Sequence, residues 1–99
     1  MRAIKVEYQV KPGYAETNKA NIRKVMEELH ALGDVGVLYS TYVKEDGVSF
    51  VHFAIYRTEE NILPTLASFK DFNAQLKAEG LFTDPQAVKL NMVGKSFDF

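Results

Sequence analysis

His52 is the side chain in this sequence best suited to moving a proton. It stands in the middle of an alternating run, Val48–Tyr56, between Phe50 and Ala54. Burial on an apolar strand face would keep its imidazole neutral, and a neutral imidazole can act as a general base or donate a hydrogen bond. The competing reading is a structural histidine, hydrogen-bonded to Thr41 or Tyr39 on the neighbouring strand. Tyr39 and Tyr56 alternate onto the same face as His52. Their phenols would orient a planar substrate or stabilise an enolate, or else pack at an interface with their hydroxyls at its rim. Phe50 and Thr41 complete a candidate ligand-binding wall. Glu7 and Asn91 lie on the polar faces of the first and last strands. Either would add a polar partner if it points into the same cavity; an ion pair at the surface is the other reading for Glu7.

Other chemistries are excluded by composition. There is no cysteine, which removes disulfides, thiol catalysis and Cys-ligated metal centres. His30 and His52 are not at ligand spacing, and no His/Asp/Glu cluster resembles a metal site, so neither metal nor cofactor is expected. His30, near the end of the first helix, suits a solvated or capping role. The serines lack a nucleophile-elbow context, and the glycines form no phosphate loop. A net charge of -1 without a basic run argues against nucleic acid. No apolar stretch reaches the length of a membrane span, and Met1–Glu7 has no signal-peptide core. Small secreted domains often depend on disulfides, so a cysteine-free chain points to the cytoplasm.

These residues need a scaffold, and 99 residues provide one domain, 1–99. Ala3–Val10 alternates, with Ile4, Val6, Tyr8 and Val10 opposite Lys5, Glu7 and Gln9, and Pro12-Gly13 ends that strand. Ile22, Val25, Met26 and Leu29 form the apolar stripe of a helix over Ala15–Leu32, closed by Gly33. Val35–Val43 and Val48–Tyr56 are rich in β-favouring residues, and Asp46-Gly47 between them predicts a type I′ hairpin turn. Pro64 argues against one helix running from Glu59, though a short turn is compatible with it. Ser68 reads as the cap of a second helix that carries Phe69, Phe72 and Leu76 and closes at Gly80. Ala87–Val93 alternates again as the last strand.

A hairpin loop of two or four residues gives one facing. Val37, Tyr39, Thr41 and Val43 then share a face with Val48, Phe50, His52, Ala54 and Tyr56; Leu38, Ser40 and Tyr42 share the other with Val51, Phe53 and Ile55. A three-residue loop with a bulge would reverse this. The element order βαββαβ predicts an α+β, ferredoxin-like fold, a four-stranded antiparallel sheet with both helices on one face. The second face must meet water or a partner. The aromatic set of Tyr39, Phe50 and Tyr56 is assigned to it, and large aromatics left wet mark an interface. The expectation is a homodimer with sheets face to face, enclosing a cavity for a small aromatic ligand between the sheet and its partner.

The segments Val10-Lys11-Pro12-Gly13-Tyr14-Ala15-Glu16-Thr17-Asn18, Asp46-Gly47-Val48-Ser49-Phe50-Val51-His52 and Phe69-Lys70-Asp71-Phe72 resemble the dimeric α+β barrel superfamily. Within it they resemble uncharacterised small proteins near the antibiotic-biosynthesis-monooxygenase group. The resemblance spans nearly the whole chain. It implies a two-subunit barrel with an apolar pocket in each half, and relatives that include cofactor-free oxygenases of quinols and polyketides, haem-degrading oxygenases and lactone isomerases. The haem-degrading pattern needs a Trp, which this chain lacks, and a histidine within Glu59–Gly80, where none occurs. The carboxylate that the quinol oxygenases often carry on the third strand corresponds to Ala54. The resemblance thus implies a cofactor-free monooxygenase or isomerase in which His52 works with Tyr39 or Tyr56. The alternative is a dimer that binds a ligand, or is structural, without chemistry.

Overall fold

A computed structural model describes all residues, Met1–Phe99. The chain folds as β1 (Arg2–Gln9), α1 (Ala15–Leu32), β2 (Val37–Val43), β3 (Ser49–Tyr56), α2 (Ala67–Gln75) and β4 (Gln86–Leu90). The four strands form one antiparallel sheet in the order β2-β3-β1-β4, with the last strand beside the first. This is the expected ferredoxin-like α+β arrangement. No helix is long and apolar enough to cross a membrane.

The helix α1 has the predicted bounds because its signals agree. Its stripe buries Ile22 and Val25 and half-buries Met26 and Leu29 against the sheet. Gly33 ends it at φ 76°, a conformation that costs glycine little. The start of α2 differs from the expectation. Leu66, not Ser68, is the cap residue, and it offers no side-chain hydrogen bond. The Ser68 amide instead donates to Glu28 of α1 at 3.1 Å, and the Ser68 hydroxyl donates to the same carboxylate oxygen. A carboxylate from the neighbouring helix thus satisfies an unpaired first-turn donor and suits the positive end of the helix. Pro64 lies in a separate short turn, Leu63–Thr65. The helix α2 continues into a wide turn, Leu76–Gly80. Gly80 closes it without a positive φ; its reason is space, since a Cβ there would lie 2.4 Å from the Tyr14 ring.

The hairpin keeps the predicted facing with a different turn. Pairing runs to Val43↔Phe50, and the Lys44 amide still donates to the Ser49 carbonyl, leaving Glu45–Val48 as a four-residue loop. A type I′ turn needs positive φ at both centres, and only Gly47 has it, at 75°. Asp46 acts instead as a staple. Its carboxylate accepts from the Ser49 hydroxyl and from the amides of Val48 and Ser49 at 2.9 and 2.8 Å, and these bonds, the hydroxyl's first, hold its pKa below the usual range.

The direction of the sheet's two faces is the main correction. Tyr39, Thr41, Phe50, His52 and Tyr56 do share a face, but that face lies under the helices. Phe50 packs with Ile22, Val25 and Phe72, and Tyr56 with Leu63 and Leu66. Strand β1 decides the direction. Ile4↔Ala54, Val6↔His52 and Tyr8↔Phe50 are cross-strand partners, so β3's histidine face joins β1's apolar face. The face left open carries Leu38, Tyr42, Phe53, Val88 and Leu90, all exposed, with Val51 and Ile55 half-buried among them. Strands β2 and β3 are apolar on both sides, so their pattern does not say which side takes the helices.

Candidate functional site

A cavity of about 160 Å³ lies between the sheet and α2. Its floor is Ile4, Val6 and Tyr8 of β1 with His52, Ala54 and Tyr56 of β3, and Tyr39 of β2 forms one side. Leu63, Phe69, Phe72 and Leu76 close it from the helical layer. The strand residues reach it because alternate side chains of neighbouring strands stand on one face. The helical residues reach it because Phe69, Phe72, Asn73 and Leu76 follow helical spacing.

His52 stands at the polar end of this apolar space and is buried. Its Nε2 lies 2.8 Å from the Tyr8 hydroxyl, and its Nδ1 lies 2.6 Å from the Tyr39 hydroxyl and 3.0 Å from Thr41 Oγ1. Asn18 of α1, fully buried, donates from Nδ2 to the Tyr8 oxygen at 3.0 Å. The Tyr8 and Tyr39 rings stack on the imidazole at centroid distances of 5.3 and 5.8 Å, and Phe72 lies 5.7 Å away. Burial pushes the His52 pKa down to about 4 and raises both phenols, so all three groups are neutral at pH 7. Each contact of the imidazole with Tyr8, Tyr39 and Thr41 runs in the direction set by which ring nitrogen carries the proton.

The other candidate residues are placed as follows. Tyr56 lines the same cavity but makes no bond to His52; the Arg2 guanidinium lies 4.3 Å from its ring centroid, and burial raises its pKa. Thr41 touches the imidazole from the side. Phe50 supports Tyr8 by stacking at 5.9 Å and does not line the cavity. Glu7 is on the opposite face of the sheet, paired with Lys44 and, at 3.9 Å, with Lys5; the Lys44 ammonium holds its pKa down. It is therefore no carboxylate partner for His52. Asn91 falls beyond β4 and borders the open face with Tyr42 and Phe53. No cluster of three or more His, Asp or Glu residues could hold a metal ion.

Three participants went unnoticed in the sequence. Tyr8 looked like one more apolar residue of β1. Asn18 precedes Ile22 by four positions on the stripe of α1, and a polar residue on a buried stripe needs a polar partner. Asn73 stands beside Phe69 and Phe72 and brings an amide to the cavity wall.

No family model and no curated protein matches the sequence. Solved structures match the fold. A Nitrosomonas europaea protein classed as an antibiotic biosynthesis monooxygenase superposes with a TM-score of 0.79 at 16% identity, over 95% of this chain and 100% of its own. A Bacteriodes thetaiotaomicron protein of the same class gives 0.80 at 12%, over 99% and 94%. A Mycobacterium tuberculosis protein gives 0.76 at 17%, over 97% and 98%. The chain has the α+β fold of the antibiotic-biosynthesis-monooxygenase-like proteins.

Proposed function

We propose that this chain is a small cytoplasmic homodimer that binds a single-ring, quinol-like aromatic between its sheet and helices and oxygenates it without a cofactor. One observation carries the reading: an apolar cavity that ends on the hydrogen-bonded array of Tyr8, His52 and Tyr39. Its volume, about 160 Å³, is close to the roughly 150 Å³ of an apolar cavity known to hold benzene. One ring fits; a fused polycycle needs the helical layer to move. Tyr39 meets the ligand oxygen, and with the imidazole proton on Nε2 the His52 Nδ1 stands behind it as the proton acceptor.

The reaction balances without an added reductant. A hydroquinone and dioxygen give a hydroxyquinone and water. The substrate hydroxyl loses its proton to the array, and the resulting anion passes an electron to dioxygen. The radical pair joins at the adjacent ring carbon as a C–O bond, the proton returns to the peroxide, and loss of water leaves the new carbonyl. The substrate supplies all of the electrons. Proton transfer from an ordinary phenol of pKa about 10 to an imidazole of pKa about 4 costs about 8 kcal/mol. That lies within the roughly 16 kcal/mol barrier of a turnover near 10 per second, so the anion is a transient and not a resting state.

The open face supports the dimer. Leu38, Tyr42, Phe53, Val88 and Leu90 are too large and too contiguous an apolar set for a surface that only meets water. Each is already partly covered in the single chain, so burying the rest contributes about half of the 1.5–3 kcal/mol of a whole side chain, before the cost of association. The cysteine-free composition supports the cytoplasm. A second reading, a ligand holder without chemistry, is favoured by the lack of a carboxylate in the cavity wall and by the occupation of both imidazole nitrogens. Oxygen uptake with hydroquinone and substituted quinols separates the two. Binding with uptake and a hydroxyquinone product supports the oxygenase; binding without uptake leaves the holder.

A further inference from the structure

The imidazole of His52 receives its instructions from a residue that it does not touch. Asn18 is fully buried and bonds only the Tyr8 hydroxyl, through Nδ2 at 3.0 Å; its Oδ1 is buried with no partner. We propose that Asn18 is a positioning residue that selects the tautomer of His52 through Tyr8, and with it the kind of oxygen that the cavity receives. A phenol oxygen that accepts from an amide turns its own hydrogen to the next acceptor, here Nε2 at 2.8 Å. The imidazole proton must then sit on Nδ1, 2.6 Å from the Tyr39 oxygen. Tyr39 becomes an acceptor at its back and presents O–H to the cavity, which suits a carbonyl.

Rotation of the Asn18 amide by half a turn reverses the three bonds from Asn18 to Tyr39, while Thr41 Oγ1, 3.0 Å from Nδ1, can accept in the first order and donate in the second. Oδ1 would accept from Tyr8, Tyr8 would accept from Nε2–H, and Nδ1 would accept from Tyr39. The Tyr39 oxygen would then be free to accept from a ligand hydroxyl. No bond pins the far end of the amide, since Oδ1 has no partner. The reversed order leaves the other end of the amide unpaired in its place and loses no further bond, so a ligand that favours it can shift the array. This inference concerns the protein's own hydrogen bonds and stands whether or not the site is catalytic. On the oxygenase reading, one order receives the hydroxylated substrate and the other the carbonyl product.

The test is nitrogen NMR of the ¹⁵N-histidine-labelled protein near pH 7, with the exposed His30 assigned by His30→Gln. The shifts and proton couplings of the two ring nitrogens report the tautomer directly. The ligand-free protein is expected to be predominantly Nδ1–H. Asn18→Asp supplies only acceptor oxygens when ionised, and should turn His52 predominantly to Nε2–H. Should that variant not fold, Asn18→Leu removes both functions with little change in volume and should give a mixture of tautomers. A ligand-free protein that is Nε2–H overturns the proposal. So does the same Nδ1–H tautomer in the parent and in every variant that folds, because Tyr39 and Thr41 would then be dictating it.

Discussion

The Tyr8 hydroxyl lies 2.8 Å from His52 Nε2, joining β1 to β3 through a buried hydrogen bond that also draws in Asn18 of α1. A three-membered network of this kind punishes partial removal more than complete removal, because each loss strands a partner away from water. Tyr8→Phe is expected to destabilise the fold by about 1–3 kcal/mol. Adding Asn18→Leu to it should cost less than the sum of the two separate effects, since both delete the same chain. Urea denaturation of the two single variants and the double variant checks this. Strict additivity would show that Tyr8 and Asn18 act independently.

The burial of His52 makes stability depend on pH with a definite sign. Its pKa is lowered from 6.5 to about 4 on folding, so between those values the unfolded chain binds the extra proton and the folded chain does not. Its neutral state is fully compatible with folding above about pH 6.5. Stability falls as the pH drops from there to about 4, by about 3 kcal/mol from this group, and the loss levels off below. His52→Gln keeps an amide in place of the ring nitrogens and should flatten the slope between pH 6.5 and 4. Denaturation midpoints at several pH values in parent and variant measure it. An unchanged slope would assign the pH dependence to other groups.

Gly80 makes a steric prediction opposite to helix propensity. Alanine is ordinarily the better residue in a helical turn, by about 1 kcal/mol. Here the Cβ would meet the Tyr14 ring at 2.4 Å, with Tyr14 itself buried. Gly80→Ala should therefore destabilise, by about 1–3 kcal/mol as overpacking does. Tyr14→Leu in the same chain should recover part of that loss. Thermal unfolding of the three variants decides, and a stabilised Gly80→Ala would remove the steric account.

How much of this was legible depends on which residues carried one-sided information. The bounds of α1 were readable because stripe, solvent face and Gly33 agree. The pairing of Tyr39 and Thr41 with the His52 face was readable because an even hairpin loop keeps facing. Which way that face points was not, because Leu38, Tyr42 and Phe53 make the other side of β2 and β3 just as apolar. Strands β1 and β4 are two-faced, but they turn their apolar sides to opposite faces of the sheet, and the register of β1 against β3 is a long-range fact with no local signature. Glu7 was readable as a cavity residue or as a surface ion pair, and its pairing with Lys44 on the opposite face selects the second. Ser68 carries a good cap residue's chemistry, but Glu28, 40 residues earlier, does the work. Tyr8 was hidden inside a pattern that read correctly as core, and Asn18 lay one turn before the apolar stripe, where it read as a helix-start residue.

The open face should hold two chains together. Phe53 meets Tyr42 edge-on at 6.0 Å near the middle of that face, and both are exposed in the single chain. The protein is expected to sediment as a dimer at micromolar concentration. Phe53→Lys should shift it to monomer, because a buried ammonium without a partner costs several kcal/mol. His52 points to the other side of the sheet, so the circular dichroism and the His52 ring-nitrogen signals of the variant should match those of the parent. A parent that is monomeric at this concentration would remove the dimer.

Tyr39 and Tyr56 both line the cavity, but only Tyr39 touches the imidazole, and this predicts that they are not equivalent. Tyr39→Phe removes the hydroxyl that meets the ligand. It leaves His52 Nδ1 with Thr41 Oγ1 at 3.0 Å, so the imidazole is not stranded and the fold should lose less than about 1 kcal/mol. A single hydrogen bond contributes about 0.5–1.5 kcal/mol, so affinity for hydroquinone should fall by roughly two- to tenfold. Any oxygen uptake should fall further, because the proton path to His52 passes through that oxygen. Tyr56→Phe keeps the ring that fills the cavity end and removes a hydroxyl outside the array, so binding should change less than twofold by the same scale. Calorimetric titration of hydroquinone into the three proteins, with oxygen uptake measured in parallel, makes the comparison. Equal losses in the two variants would mean that the ligand oxygen does not sit at Tyr39, and the array would then be a support for the core.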